Sequence, residues 1–387
     1  MKKIFTIFCV LCLLLLPTYS SNMQKNIIWA KNEDVLQINS KASLLMDYDS
    51  KTVIYENNSK ARLPVASMVK IMTLLLTYEE IDKGNMSLET MIPTTENASK
   101  MGGSQVFIDP YVEYKAEDLI KSVIMMSAND ASVALAEYIS GSEKAFVQKM
   151  NDKAKELNME NTLYANCTGL PAPEQYSCAN DCAILLKELL KYEHYLSLSK
   201  VWMDKLVHPS GRETELVNTN KLVRYYKGCD SGKTGSTSEA GYCLTASAEK
   251  NDFRLIAVVI GAKTGQERFN YVTELFNYGF ANYENKTIVD SKVPVVENYE
   301  ILQAKCKVAN IYAQEDYYGL SKKGKEIGYD ISYEINKAKA PLKSGDIVGV
   351  LTITKDGNVV KEINLIVKDD IEKIGYFDGI KIIANNW

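Results

Sequence analysis

The order of strand-like and helix-like segments constrains the fold of this chain more than any other feature of the sequence. Alternating and branched residues predict two short strands within Ala42–Tyr55. After Pro64, a long stretch that is apolar on nearly every side predicts a buried helix, and further helices follow it. A strand hairpin within Gly241–Gly261 and a helix over Glu267–Tyr283 come next. Strands, a helical block, strands and a closing helix predict an α+β domain over residues 26–283.

The residues that follow this domain show a different sequence pattern. Short strands separated by turn residues predict a small β-rich domain over residues 286–373. Its clearest signal is the Asp-Gly pair at 356–357 between two alternating stretches, which predicts a hairpin. In the final segment, residues 374–387, the apolar side chains share one helical face: Phe377, Ile380, Ile383, Ala384 and Trp387. Such a face is typical either of a short amphipathic membrane contact or of packing against the β domain.

The first residues predict the compartment. Lys2 and Lys3 precede an apolar run over Ile4–Leu16, which is followed by Pro17 and small residues. This pattern is typical of a signal peptide over residues 1–20, with cleavage between residues 20 and 30. The run is shorter than the roughly 20 residues that a membrane-spanning helix needs. We therefore expect an exported protein that acts at the cell wall or at the outer face of the cytoplasmic membrane.

Charge and histidine content exclude several kinds of protein. The net charge is −4 and there are no runs of basic residues, which argues against nucleic-acid binding. With only His194 and His208, a zinc site of three histidines is excluded, and a Ser-His-Asp triad must use one of these two. Both lie outside the motifs described below, and we expect them to be surface or packing residues. We expect no metal and no cofactor.

Export also changes the interpretation of the cysteines. Six remain after removal of the leader: Cys167, Cys178, Cys182, Cys229, Cys243 and Cys306. Their spacing is not that of a zinc cluster, and the sequence does not choose among their pairings. Small buried hydrophobic residues are the favoured interpretation, which leaves open one disulfide near residues 167–182.

Two polar residues on the apolar helix are candidates for chemistry. Ser67 and Lys70 are three residues apart and therefore lie on one face of a helix. Burial disfavours the charged ammonium, so it lowers the pKa of a lysine in such a helix. A neutral lysine beside a serine hydroxyl is a general base beside a nucleophile.

Two further motifs follow in order, Ser127-Ala128-Asn129 and Lys233-Thr234-Gly235. A second serine can relay a proton to a leaving amine, and an asparagine amide can bind a peptide group. A lysine and a hydroxyl on a strand can hold a carboxylate, while the glycine allows substrate to lie close to that strand. Together with S-x-x-K, this set is typical of penicillin-binding proteins and serine β-lactamases.

Two other stretches mimic motifs. Lys263-Thr264-Gly265 repeats the K-T-G triplet after a strand, and we expect it to be a loop. The stretch from Gly228 to Thr234 is close to a phosphate-binding loop, but it has three residues between its glycines where that motif requires four.

At these motifs the chain resembles the low-molecular-mass penicillin-binding proteins that are serine-type D-alanyl-D-alanine carboxypeptidases. The resemblance extends from about Ala42 to Phe280 and includes further short matches: Arg62 and Pro64 before Ala66–Lys70, Gly102-Gly103-Ser104, Gly169-Leu170, Tyr176-Ser177 before Asp181, Asn218-Thr219-Asn220, Ala240-Gly241-Tyr242 and Asn277–Phe280. It implies a β-lactamase/transpeptidase-like catalytic domain, with a helical subdomain beside an antiparallel sheet, followed by a small all-β domain.

The resemblance also implies a role for each matched residue. Ser67 is expected to be the nucleophile, Lys70 its base, and Ser127 the proton shuttle to the departing D-alanine. Asn129 is expected to bind the peptide. The residues expected to bind the terminal carboxylate or to border it are Lys233, Thr234, Gly235, Ser236 and Arg268. The backbone N–H groups of Ser67 and Ser236 would form an oxyanion hole, and a surface helix position is the alternative for Arg268.

The expected function is removal of the C-terminal D-alanine from peptidoglycan stem peptides through an acyl-enzyme, with β-lactams as covalent inhibitors at the same serine. Two alternatives use the same fold. A serine β-lactamase is disfavoured by the extra β domain and by the lack of an E-x-x-L-N segment with a deacylating glutamate. A non-catalytic penicillin-sensing or wall-binding protein is disfavoured because all three motifs are intact.

Overall fold

The computed structural model describes residues 36–325, 328–336 and 338–375. The predicted signal peptide at residues 1–20 and all but the first two residues of the 374–387 segment therefore lie outside the described residues. Within the described ranges, none of the helices is long and apolar enough to cross a membrane.

A five-stranded antiparallel sheet forms the centre of the first region, in the order β2-β1-β9-β8-β7. Its strands are β1 (Ala42–Asp47), β2 (Val53–Asn57), β7 (Cys229–Thr237), β8 (Gly241–Lys250) and β9 (Phe253–Ala262). The predicted strand pairs are thus confirmed. The central strand β9 is rich in branched side chains that are buried on both faces, because helices cover both sides of the sheet.

Helices cover the sheet unequally. On one face lies the closing helix α9 (Gly265–Asn282), which buries Val272, Leu275 and Phe276 against the sheet. It begins with a capping box in which Thr264 and Glu267 satisfy each other's backbone N–H groups. The second K-T-G triplet is therefore a helix start: Lys263 and Thr264 lie in the expected loop, whereas Gly265 is already helical.

The other face carries the predicted helical block. Its helices are α1 (Lys70–Asp82), α2 (Glu96–Ser99), α3 (Ala116–Met126), α4 (Asn129–Ser140), α5 (Glu143–Glu156), α6 (Ala179–Leu189) and α7 (Glu193–Ser199). Short strand pairs join them: β3 (Met91–Pro93) with β4 (Glu113–Lys115), and β5 (Met203–Val207) with β6 (Glu213–Val217). The short helix α8 (Leu222–Tyr225) lies instead on the α9 side, where Leu222 joins the same apolar cluster. The pattern analysis did not identify α7 or the β5–β6 hairpin.

The second region is built from strands. They are β10 (Tyr283–Val289), β11 (Pro294–Glu300), β12 (Val308–Ala313), β13 (Tyr317–Lys322), β14 (Tyr329–Ile335), β15 (Ile347–Lys355) and β16 (Asn358–Val367). β10 pairs with β13, and the others form a sheet in the order β11-β12-β16-β15-β14. The hairpin predicted around Asp-Gly is confirmed, since Lys355 pairs with Asn358 across that turn. An α+β region followed by an all-β region is the predicted fold class.

Five of the six thiols are small buried residues, as the favoured interpretation predicted. The cysteines at 167, 178, 182, 229 and 243 are buried, whereas Cys306 is exposed, and all six are free. The disulfide considered near residues 167–182 does not form in the described chain. Burial raises the pKa of Cys178 to about 12, so this thiol stays protonated at neutral pH.

Candidate active site

Ser67 lies in a strained turn. A 3₁₀ turn, Ala66–Val69, precedes α1, so the serine sits one turn before the α-helix in which the pattern placed it. Ala66 has a φ of +48°, a conformation that non-glycine residues rarely adopt. Two glycines lie in close contact with this turn. A Cβ atom at Gly169 would lie 2.1 Å from the Ala66 oxygen, and one at Gly235 would lie 2.6 Å from the Val65 oxygen. Only glycine permits both approaches.

Lys70 reaches back from the first residue of α1 to the serine. Its Nζ lies 3.0 Å from Ser67 Oγ, 2.6 Å from Asn129 Oδ1 and 2.5 Å from the Thr168 carbonyl oxygen. The side chain is fully buried. This burial lowers the pKa of Lys70 to about 7, against opposing effects of Cys167 and Asp130. A large fraction of this amine is therefore neutral at physiological pH and can accept the Ser67 proton.

Ser127 and Asn129 occupy the break between α3 and α4, where the sequence predicted an interruption. Ser127 ends α3 in the left-handed conformation, with φ 60° and ψ 32°. Its hydroxyl is buried and has no hydrogen-bond partner among the described residues. Asn129 begins α4, accepts from Lys70 and donates from Nδ2 to the Gly102 carbonyl at 2.6 Å. A strained backbone and a buried hydroxyl without a hydrogen-bond partner are features of functional sites.

Sequence analysis did not identify the acidic residue that holds the neighbouring loop. Asp130 is fully buried and accepts from the backbone N–H groups of Val106 and Ile108 at 3.1–3.2 Å. Burial raises the pKa of this carboxyl, while the N–H donors lower it. Since Asn129 N also donates to the Ser104 carbonyl at 2.7 Å, the start of α4 anchors the loop of the Gly-Gly-Ser match. A charged residue inside an otherwise apolar helix was the available signal.

The K-T-G motif lies on β7, the edge strand of the sheet. Lys233 is 2% exposed, and its Nζ donates to the Thr234 carbonyl at 3.1 Å. Burial lowers the pKa of Lys233 well below its usual value, and the charges of Lys70 and Arg268 lower it further. Neither lysine forms a salt bridge with any described carboxylate. Three neighbouring basic groups without a paired anion form a site in which a negatively charged ligand would favour their protonated forms.

Arg268 lies against the K-T-G strand. Its Nη1 donates to the backbone carbonyls of Gly235 at 3.1 Å and Cys243 at 3.4 Å. The guanidinium packs on the rings of Tyr242 and Phe269, and burial lowers its pKa. The surface position considered for Arg268 is therefore wrong. Its Nε is buried without a hydrogen-bond partner among the described residues. Ser236, one residue beyond Gly235 on the strand, is exposed.

The two histidines are packing residues, as expected. His208 is buried, with Nδ1 2.7 Å from Tyr114 Oη and Nε2 2.9 Å from Thr214 Oγ1. His194 lies 3.0 Å from Tyr78 Oη and forms no contact with Ser67 or Lys70. No described group of three His, Cys, Asp or Glu side chains has the arrangement of a metal site.

The geometry suits acyl transfer. The Ser67 hydroxyl lies beside the Lys70 amine, whose pKa is about 7. The Ser127 hydroxyl, which has no hydrogen-bond partner among the described residues, directly follows α3. The edge strand that carries Lys233 lies next to the turn that carries Ser67, because Gly235 packs against Val65 and Ser67. Such a set can form and hydrolyse an acyl-enzyme on a substrate that carries an anionic group.

Both regions match known protein families. A family model described as D-alanyl-D-alanine carboxypeptidase (peptidase S11) matches residues 29–264. The model for the C-terminal domain of penicillin-binding protein 5 matches residues 283–373.

Individual proteins are similar over nearly the whole chain. D-alanyl-D-alanine carboxypeptidase DacF of Bacillus subtilis is 41% identical over 360 residues, 92% of this chain and 92% of that protein. DacC of Escherichia coli is 34% identical over 354 residues, 89% of this chain and 87% of that protein. The crystal structure of penicillin binding protein 5 from Haemophilus influenzae has a TM-score of 0.71 and 30% identity, covering 87% of this chain and 99% of its own.

Proposed function

Because the chain belongs to the D-alanyl-D-alanine carboxypeptidases of peptidase family S11, we propose that Ser67 is the nucleophile of a serine carboxypeptidase reaction and Lys70 its general base. One observation carries this assignment. Lys70 Nζ lies 3.0 Å from Ser67 Oγ, inside a site that lowers its pKa to about 7. A neutral amine at this distance can remove the hydroxyl proton as the oxygen attacks.

The acylation step proceeds through a tetrahedral intermediate. Ser67 Oγ forms a bond to the carbonyl carbon between the two D-alanines, and its proton passes to Lys70. The backbone N–H groups of Ser67 and Ser236 stabilise the developing oxyanion. As the C–N bond breaks, the Ser127 hydroxyl donates a proton to the leaving D-alanine amine and recovers one from Lys70. Asn129 binds the peptide, and Lys233 and Thr234, with Gly235 allowing close approach, bind the terminal carboxylate. Arg268 supports this strand through its bond to the Gly235 carbonyl.

Water completes the reaction. Lys70, neutral again, removes a proton from a water molecule that attacks the acyl carbon. As the ester bond to Ser67 breaks, Lys70 returns this proton to Ser67 Oγ and the shortened peptide leaves. Peptidoglycan stem peptides ending in D-Ala-D-Ala are the natural substrates, which requires action outside the cytoplasm. The contact with a membrane through residues 374–387 stays a prediction, since nearly all of that segment lies outside the described residues.

β-Lactams are expected to acylate the same serine and to leave slowly. The loop facing Lys70 presents the Thr168 carbonyl oxygen. The neighbouring carboxylate of Glu143 accepts instead from the N–H and thiol of Cys167, at 3.0 and 3.2 Å. This loop thus contacts Lys70 through a backbone carbonyl and not through a carboxylate, which favours the carboxypeptidase over the β-lactamase alternative.

The test compares the protein with Ser67→Ala. The wild type should gain the mass of one penicillin per chain and release D-alanine from a D-Ala-D-Ala peptide, whereas Ser67→Ala should do neither. Ser210→Ala, on the turn of the β5–β6 hairpin, controls for loss of a serine hydroxyl outside the site. A wild type that gains no adduct and releases no D-alanine would contradict the assignment. Penicillin turnover far faster than D-alanine release would favour the β-lactamase.

A further inference from the structure

The hydroxyl of Thr234 already has a partner in the free protein. Thr234 Oγ1 donates to Thr219 Oγ1 at 3.0 Å. Thr219 lies between β6 and α8, fifteen residues before Thr234, and no step described above uses it. A hydroxyl that contacts a carboxylate-binding hydroxyl can influence recognition without touching substrate.

The residues on either side of Thr219 hold it in place. Asn218 is buried and donates from Nδ2 to two backbone carbonyls at 3.0 Å. Asn220, also buried, donates to the Ser231 carbonyl at 3.2 Å on the K-T-G strand itself. Thr219 N donates to the Met125 carbonyl at 2.9 Å, near the end of α3. These hydrogen bonds hold the Asn-Thr-Asn segment between α3 and β7, with the Thr219 hydroxyl in contact with Thr234.

The protons and lone pairs of the two hydroxyls determine what the Thr219–Thr234 contact can do. A threonine hydroxyl carries one proton and two lone pairs, and it rotates to suit its partners. A carboxylate only accepts hydrogen bonds, so Thr234 can bind one only by turning its proton away from Thr219. The Thr219 hydroxyl can then rotate in turn and donate its own proton to the Thr234 oxygen, which now turns a lone pair toward it.

Resting on the proposed function, which places the substrate carboxylate at Thr234, we propose that Thr219 is a positioning residue for carboxylate recognition. It accepts from Thr234 in the free enzyme and donates to Thr234 in the complex. This reversal keeps both hydroxyls paired in both states, and it orients the Thr234 proton toward the ligand. Thr219 is a positioning residue and not a catalytic one, because it acts through Thr234.

A substrate without the carboxylate should not need this reversal. A terminal carboxamide has its own N–H donors, so it can donate to Thr234 while Thr234 continues to donate to Thr219. Loss of the Thr219 hydroxyl should therefore weaken recognition of carboxylates and leave recognition of carboxamides nearly unchanged. A purely structural role would affect both substrates equally.

The experiment measures KM and kcat for Thr219→Val and Thr219→Ser on a D-Ala-D-Ala peptide with a free carboxylate and on its carboxamide. The valine variant should lose about threefold to tenfold in kcat/KM on the carboxylate, mainly through KM, as expected for one net hydrogen bond. The serine variant should stay within about twofold of wild type, because it keeps the hydroxyl. Thr90→Val, which removes a hydroxyl bonded at 2.8 Å to Ser87 N in an exposed turn, is the matched control.

Acylation by a penicillin and by its carboxamide gives the same comparison without D-alanine release, because the amide, unlike the acid, brings N–H donors. A wild type that is acylated but releases no D-alanine would overturn the proposed function, and the acylation rates would still decide the role of Thr219. Equal rates for Thr219→Val and wild type on the free acid would overturn the inference. So would a loss of equal size on the acid and the carboxamide, or a serine variant as weak as the valine one.

Discussion

The two regions of the molecule treat their lysines differently. In the β region, Lys343 and Asp370 form an exposed ion pair at 2.7 Å. The helix-and-sheet region buries Lys70 and Lys233 almost completely, and neither forms a salt bridge with a described residue. Lys355 is the buried lysine of the β region, where its ammonium lies 5.0 Å from the centre of the Tyr329 ring.

Burying a cation without an anion opposes folding, because the charged form loses its hydration. The β region avoids most of this penalty and is held by an apolar core that includes Ile311, Leu351 and Leu365. The first region accepts the penalty at the two lysines of its motifs. The contrast indicates that the first region was selected for a reactive site and the second for packing, and it can be tested by substitutions matched between the regions.

The largest effect is expected for Lys70→Met. Loss of the general base should reduce penicillin acylation and D-alanine release by about 10²–10⁴-fold. The same change should raise the melting temperature at pH 7, because an apolar side chain replaces a buried amine that is partly charged. Stopped acylation with a lower melting temperature would show that Lys70 is needed for folding, and would break the comparison. Intact mass spectrometry and thermal unfolding measure the two quantities.

Glycines give a second matched pair. A Cβ at Gly169 would lie 2.1 Å from the Ala66 carbonyl oxygen, and a Cβ at Gly349 in the β region would lie 2.1 Å from the Glu334 oxygen. Both alanine variants should lower the melting temperature. Only Gly169→Ala should also reduce kcat/KM, by about 10²-fold, because it displaces the turn that carries Ser67. An equal loss of activity in Gly349→Ala would show that the site depends on the packing of the β region.

The pH dependence follows from the same buried amine. The base form of Lys70 is the neutral one, so with a pKa of about 7 the acylation rate should fall about tenfold per unit below that pH and level off above it. Second-order rates of acylation by a fluorescent penicillin between pH 5 and 9 measure this profile. A flat profile would contradict the role of Lys70 as the titrating base.

Stability should respond to the same group with a defined sign. The pKa of Lys70 is lowered from 10.5 to about 7 in the folded protein, so the unfolded chain binds more protons between these values. Stability contributed by this group therefore rises with pH across that window and is at its lowest below pH 7. The difference in melting temperature between Lys70→Met and wild type should shrink as the pH is raised.

The sequence predicted the parts of the site that depend on residue type. Ser67, Lys70, Ser127 and Lys233 were identified because few other side chains can perform these steps. The 3₁₀ turn at Ser67 was not predicted, since it is imposed by the close approach of Gly169 and Gly235. Local pattern favours a continuous helix there, and tertiary contacts override it.

A backbone contact and a polar hairpin are the other features that could not be predicted from the sequence. The Thr168 carbonyl contacts Lys70 from a loop far along the chain, and every residue has a carbonyl, so no residue type marks it. The β5–β6 hairpin was missed because each of its strands buries a single side chain, Leu206 and Leu216. Alternation of that strength does not stand out from a polar loop.

The smallest effect is expected for Lys343→Met, the surface counterpart of Lys70→Met. The Lys343–Asp370 pair is 77% and 56% exposed at its two side chains, so water and salt screen it. Its removal should leave the urea midpoint of unfolding nearly unchanged and acylation at the wild-type rate, because an exposed ion pair contributes little to stability. Urea unfolding and the penicillin assay measure both quantities, with Lys70→Met examined in parallel. If Lys343→Met changed the stability of the protein as much as Lys70→Met does, burial of the lysine would not be what distinguishes the two regions.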